Sequence, residues 1–259
     1  MYLKKTWIYG NRIEIRKYHT FRHRVQGEKR SKRQKPTEKQ IKDANERAAR
    51  KKLNRLMINN FVLGDWHLTL TYAPDRRPDA DGSKTCLKHF FDKMRREYRR
   101  RGEELKFIVV TEWENKNIHH HIAINNIPDM AAVIRKCWTY GGAHLTPLYA
   151  DYDYQGLADY FVKETDETFR KPNNPYKQRW SCSRNLKRPQ EEVEVVAANS
   201  WRKEPKVSAS QAQDGYVIDK NSVRTGIDAI GYPYQEYIMI RYERKEEKKG
   251  RTWKRAEKR

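Results

Sequence analysis

Apolar and polar residues alternate in several short runs of this chain and recur at helical spacing in others, and the two periods lay out its elements in order. Residues 6–20 alternate around Trp7, Tyr9, Ile13 and Ile15, which predicts one or two strands. Thr37-Glu-Lys-Gln40 has the form of a capping box, and Ile41, Ala44, Ala48, Leu53, Leu56 and Met57 follow at near-helical spacing. A helix to about residue 60 is expected there, with Gly64 ending it. Residues 66–72, rich in β-branched and aromatic side chains, read as a strand, and the prolines and glycine of 75–82 as a loop. A second helix over 83–101 carries Leu87, Phe90, Phe91, Met94 and Tyr98 as its apolar stripe and stops at Gly102. Strands over 106–112 and 118–125 follow, with 114–117 as the hairpin turn between them. A helix over 128–138, a strand over 144–148 and a helix over 155–168 complete the regular part.

Beyond that helix, Lys171-Pro-Asn-Asn-Pro175 breaks the chain, residues 179–186 are less regular, and 197–222 have no clear period. A final strand is expected over 236–242. The order β-α-β-β-α-β-α, with helices on one face, predicts an α+β fold of ferredoxin-like, RRM-like type: an antiparallel sheet with helices packed on it. The expected division is 1–62 (strands, basic linker and first helix, part of or packed on the core), 63–170 (catalytic core), 171–240 (extension) and 241–259 (basic tail).

Within this frame the stretch Ile118-His-His-His-Ile-Ala-Ile124 stands out. On a strand, His119 and His121 point to one side, and Ile118, His120, Ile122 and Ile124 to the other. An isolated His-x-His most often hydrogen-bonds at a solvated strand end. Here, however, the preceding strand ends in Glu112, and a hairpin would bring that carboxylate to the end of the histidine strand. Two imidazoles and a carboxylate leave positions open for substrate, an arrangement suited to Mg²⁺ or Mn²⁺ acting on a phosphate oxygen. Glu114 is the competing acid, but it falls in the turn.

Charge changes the picture further. Lys and Arg total 56 against 34 Asp and Glu, a formal net charge of +22, concentrated in 22–35 and 241–259. Such a chain is drawn to polyanions with salt-sensitive affinity. Sixteen tyrosines and seven tryptophans offer platforms for unpaired bases besides their packing role. No run of about 18 apolar residues predicts a membrane span, and the first residues lack an apolar stretch of signal-peptide length, so an intracellular protein is expected. Cys86, Cys137 and Cys182 are odd in number and widely spaced, which fits a reducing compartment and no zinc pattern. Gly82-Ser-Lys-Thr85 lacks the glycines of a phosphate-binding loop, so no motor is expected.

In the helix from Gln155, Tyr160 and Lys163 are three apart and share a face. A phenol with a pKa of about 10 is a poor nucleophile unless a nearby cation favours the phenolate.

Taken in order, these segments resemble the HUH endonuclease superfamily, specifically the rolling-circle replication initiators (Rep proteins) of bacterial plasmids and phages. Leu68-Thr-Leu-Thr-Tyr72 is similar to the first motif of that family, His119-His-His121 to its metal-binding motif with His120 in place of the usual hydrophobe, and Tyr160 to Lys163 to its Tyr-x-x-Lys. Residues 179–186 also have the look of a segment that follows the catalytic helix in some Rep proteins. The resemblance spans about residues 65–165. It implies the HUH fold and a cytoplasmic protein of a bacterial host. It further implies that Tyr160 attacks single-stranded or hairpin origin DNA, becoming joined to the 5′ phosphate and freeing a 3′ hydroxyl for rolling-circle replication. His119, His121 and Glu112 would hold the divalent metal and Lys163 would position or charge-stabilise the phosphate. A separate helicase and host replication proteins would be the partners. With Gly156 and Glu164 four positions to either side of Tyr160, a single-tyrosine enzyme is expected, Tyr149, Tyr152 and Tyr154 being reserve candidates.

Other readings stay open. A transposase or relaxase would share the chemistry, a basic single-stranded nucleic-acid-binding protein would need neither Tyr160 nor metal, and a metal-dependent phosphodiesterase would use water.

Overall fold

The structure, a computed structural model, describes residues 1–20, 37–113, 118–148, 153–165, 171, 176, 178–197, 204–228 and 231–242. The basic segment 22–35, the turn 114–117 with Glu114, Tyr149, Tyr152, the end of the helix expected to 168 and nearly all of the tail lie outside the described residues. The chain divides into two compact units, 31–190 and the two ends, 1–30 with 191–259.

The unit 31–190 is built on a sheet of order β6-β3-β5-β4-β7, from β3 (Trp66–Thr71), β4 (Phe107–Glu112), β5 (His119–Ile124), β6 (Ala143–Pro147) and β7 (Ser181–Cys182), each pair antiparallel. The sequence Phe107-Ile-Val-Val sends its side chains alternately to the two faces, and all four are buried. Phe107 and Val109 join Leu68, Leu70, Ile122 and Ile124 in a core with α2 (Ala80–Arg100) and α3 (Met130–Cys137). Ile108 and Val110 join Ala123 in a second core with α1 (Glu38–Ile58) and α4 (Gln155–Glu164). Helices therefore cover both faces, which corrects the expectation of one covered face. A four-residue apolar run is what a sheet buried on both sides requires.

Local signals explain the boundaries. Thr37 and Gln40 form the reciprocal capping box at the start of α1. The helix stops at a cap on Asn59, before Gly64, whose φ of +96° turns the chain into β3. Asp79 caps α2 by accepting from the Gly82 amide (2.7 Å), so this helix begins three residues earlier than the apolar stripe suggests. After α3 the chain passes against β3: the Trp138 indole donates to the Thr71 carbonyl (3.0 Å), and a Cβ on Gly141 would run into that same carbonyl.

The unit formed by the chain ends has a second antiparallel sheet, order β8-β1-β2-β10-β9, from β1 (Tyr2–Tyr9), β2 (Arg12–His19), β8 (Gln190–Val196), β9 (Tyr216–Ile227) and β10 (Pro233–Arg241), plus the short α5 (Ala209–Gln213). Ile13, Ile15, Tyr237 and Met239 form its core. The strands and the helix grouped over 1–62 by the sequence reading fall in different units, because β2 pairs with β10. The whole is an α+β protein with the expected β-α-β-β-α-β-α order in the larger unit.

Candidate active site

The alternation of β5 decides which histidines meet. His120 turns into the core, with no exposed surface, its Nε2 on the Tyr72 hydroxyl and its Nδ1 on the Thr111 hydroxyl, both at 2.8 Å. Burial pushes its pKa down to about 3, so it stays neutral and acts as a structural crosslink between β3, β4 and β5. His119 and His121 turn to the face that α1 and α4 cover. Thr71 and Glu112 flank His119 in register, and Thr69 and Val110 flank His121. Directly opposed residues share a face, so Glu112 arrives beside His119, as the hairpin predicts.

Two further histidines join this face. His67 lies two residues before Thr69 on β3, and His144 of β6 is opposite Thr69. The His67 and His121 ring centroids are 5.6 Å apart. Burial, then His144, pushes His67 down to about 4, and burial, then His67 and His119, does the same to His121. Both are neutral imidazoles near pH 7, and the buried His67 Nε2 has no hydrogen-bond partner.

Helix α4 carries the nucleophile candidate. Ala158, Phe161 and Val162 anchor it to α1 and the sheet. Tyr160 therefore sits at the edge of the buried stripe, 37% exposed, with its hydroxyl 3.1 Å from His121 Nε2. Thr69 contacts the other nitrogen of the same ring (Nδ1, 3.3 Å), so His121 bridges β3 to the phenol. Lys163 is exposed in the last turn, where its charge acts on Glu164. Glu164, one turn beyond Tyr160, shares a side-chain hydrogen bond with Glu112. Burial, then Glu112, raises the Glu164 pKa, and burial, then Glu164 and Glu112, raises that of Tyr160. Tyr154, the one reserve tyrosine among the described residues, is buried in the core and pushed up to about 12.

Sequence reasoning missed His67, His144 and Glu164. Period two from Thr69 would have found His67, and the i to i+4 relation to Tyr160 would have found Glu164; the sequence reading weighs position 164 only as a place for a second tyrosine.

Among the described residues no three His, Cys, Asp or Glu side chains are already drawn together as a metal cluster. The donor chemistry nonetheless suits a hard divalent cation: an imidazole held neutral, a buried nitrogen with no partner, and two carboxyl groups sharing a hydrogen bond.

A family model described as a replication-associated protein of the ORF2 kind matches residues 65–165, less than half of the chain and the span that contains Glu112, His119, His121, Tyr160 and Lys163. No curated protein and no solved structure matches the chain.

Proposed function

We propose that the chain is a replication initiator of the HUH endonuclease type that nicks single-stranded origin DNA through Tyr160 and stays joined to it. The observation that carries this reading is the Tyr160 hydroxyl on His121 Nε2, with the Glu112–Glu164 pair one helical turn away, inside the segment that matches a replication-associated family. In the reaction the Tyr160 oxygen forms a bond to the scissile phosphorus, the bond to the 3′ oxygen breaks, and the phenol proton leaves to solvent or a base. The 5′ phosphate ends on tyrosine and the 3′ oxygen, once protonated, is the primer. Rejoining is the same exchange in reverse.

The phenol of Tyr160 is harder to ionise than a free tyrosine because burial and two carboxyl groups oppose the phenolate. A Mg²⁺ or Mn²⁺ ion held by His119, His121 and Glu112, with Glu164 as a further oxygen donor, would supply the positive charge that favours phenolate and polarises the phosphate. The chain's own groups set the geometry: Thr69 fixes the His121 ring, α4 fixes Tyr160, and Lys163 offers a charge to the incoming backbone. The basic composition supplies non-specific attraction to DNA. With no phosphate-binding loop in the sequence, strand opening falls to a separate helicase.

The test is a denaturing gel of the protein with labelled single-stranded DNA tiled across the replicon that carries its gene, with Mn²⁺ or with EDTA. A metal-dependent joined band, present in wild type and lost in Tyr160→Phe, is the expected result. Cleavage with no joined band assigns the attack to water, and binding without cleavage on any tile removes the catalytic reading.

A further inference from the structure

The described pairing of β7 on β4 covers only Ile108 and Val109. Where it stops, a cleft of about 360 Å³ opens between Thr111 and Trp113 on one side and Tyr176, Gln178 and Trp180 on the other. That volume is at the lower end of small-ligand clefts, about 300–1,000 Å³. Two of its lining residues, Thr111 and Thr165, are the chain neighbours of Glu112 and Glu164. With about 3.8 Å between consecutive Cα atoms, the cleft begins within a nucleotide's reach of those acids.

Its lining is specific in kind. Trp113, Tyr176 and Trp180 contribute three aromatic rings. Tyr176 is fixed in advance, its hydroxyl bonding to Ser83 and Thr111 while the Lys84 ammonium lies 5.6 Å from its ring. Gln178 is exposed, and its amide offers a donor and an acceptor side by side. The buried Arg179 donates from Nη1 to the Val162 carbonyl (3.3 Å) and adds positive charge to the lining. Rings stack on the face of any base, and an amide pairs with a base edge. A lone phosphate would leave the rings unused, and a wholly apolar ligand would strand the amide and guanidinium.

We infer that this cleft holds one unpaired base of the substrate strand, beside the phosphate at Tyr160, with the aromatic side chains stacking it and Gln178 reading its edge. The inference rests on the nicking role proposed above and adds a specificity-determining site to it. It makes base preference near the nick a property of the β4 edge.

The test uses the full chain with single-stranded oligonucleotides carrying 5-iodouracil at successive positions, irradiated, digested and mapped by mass spectrometry. Crosslinks to Trp113, Tyr176 or Trp180 are expected, and their loss when the same DNA is made duplex. An abasic position at the crosslinked nucleotide should weaken binding about tenfold in wild type and under about twofold in Trp113→Ala. Gln178→Ala, at an exposed position that keeps the fold, should flatten the base preference there. Crosslinks confined to residues outside the cleft, or an abasic penalty unchanged in Trp113→Ala, overturn the inference. Because crosslinking needs no cleavage, the two failures separate. A joined product without cleft crosslinks leaves nicking standing and removes the base site, whereas cleft crosslinks without any joined product do the reverse.

Discussion

The carboxyl groups of Glu112 and Glu164 hydrogen-bond each other between the end of β4 and the end of α4. Two carboxyl groups can do this only while one of them keeps a proton, and the raised pKa of Glu164, which burial and then this contact produce, is its electrostatic record. Folding therefore favours protonated Glu164, so its contribution is present at low pH and is lost as pH rises through its elevated folded-state pKa. In Glu164→Gln, which keeps the hydrogen bond without the charge, thermal stability in EDTA at pH 8 should exceed that of wild type. Addition of Mn²⁺ should raise the Tm of wild type and raise that of the variant less. Equal metal-induced shifts in a thermal scan would remove Glu164 from the cation site.

His120 gives the opposite pH dependence. Its folded pKa, pushed to about 3 by burial, lies below the usual value near 6.5. The unfolded chain thus binds the extra proton first, and stability is lost as pH falls through 6.5 towards 3. At pH 5 this amounts to about 2 kcal/mol for this one residue. Urea unfolding at pH 7 and pH 5 should show that loss in wild type and a smaller one in His120→Gln.

Neighbouring residues on α4 should separate chemistry from packing. Tyr160→Phe removes a partly exposed hydroxyl and should change stability by no more than about 1 kcal/mol while abolishing the joined product. Phe161→Ala empties a fully buried site between the sheet and α1 and should cost about 3–5 kcal/mol, read as a lower urea midpoint. A Tyr160→Phe protein as unstable as Phe161→Ala would mean that the phenol is a packing element.

Gly141 should tolerate no side chain. A Cβ there collides with the backbone of Thr71 and Ala73, which cannot swing aside, so Gly141→Ala should destabilise by more than about 2 kcal/mol. Gly156, with open space around its Cβ, is the control: alanine there should be neutral or stabilising.

Much of this was legible because local rules sufficed. Period two alone separates His120 from His119 and His121, and the hairpin alone brings Glu112 opposite His119. The capping box at Thr37 marks a real helix start. What escaped depends on distant partners. An apolar run such as residues 107–110 does not state how many of its faces are covered. Nor does β9, with Asp219-Lys220-Asn221 in its middle and a register shift opposite Glu236 and Ile238, show the alternation that reveals a strand. Glu164 looks like an ordinary helix-end acid until the fold brings Glu112 to it.

The pairing of Ile13 with Met239 has a consequence for biosynthesis. The larger unit has its strands and helices in hand once residue 190 has emerged from the ribosome, and it can fold while the rest is being made. The β1–β2 hairpin, though made before that unit, must wait for β10, made well after it, before its sheet can close. The larger unit and the sheet of the chain ends are thus completed in the reverse of the order in which their first residues are translated, and a ribosome that stalls late leaves a folded unit carrying an unpaired hairpin.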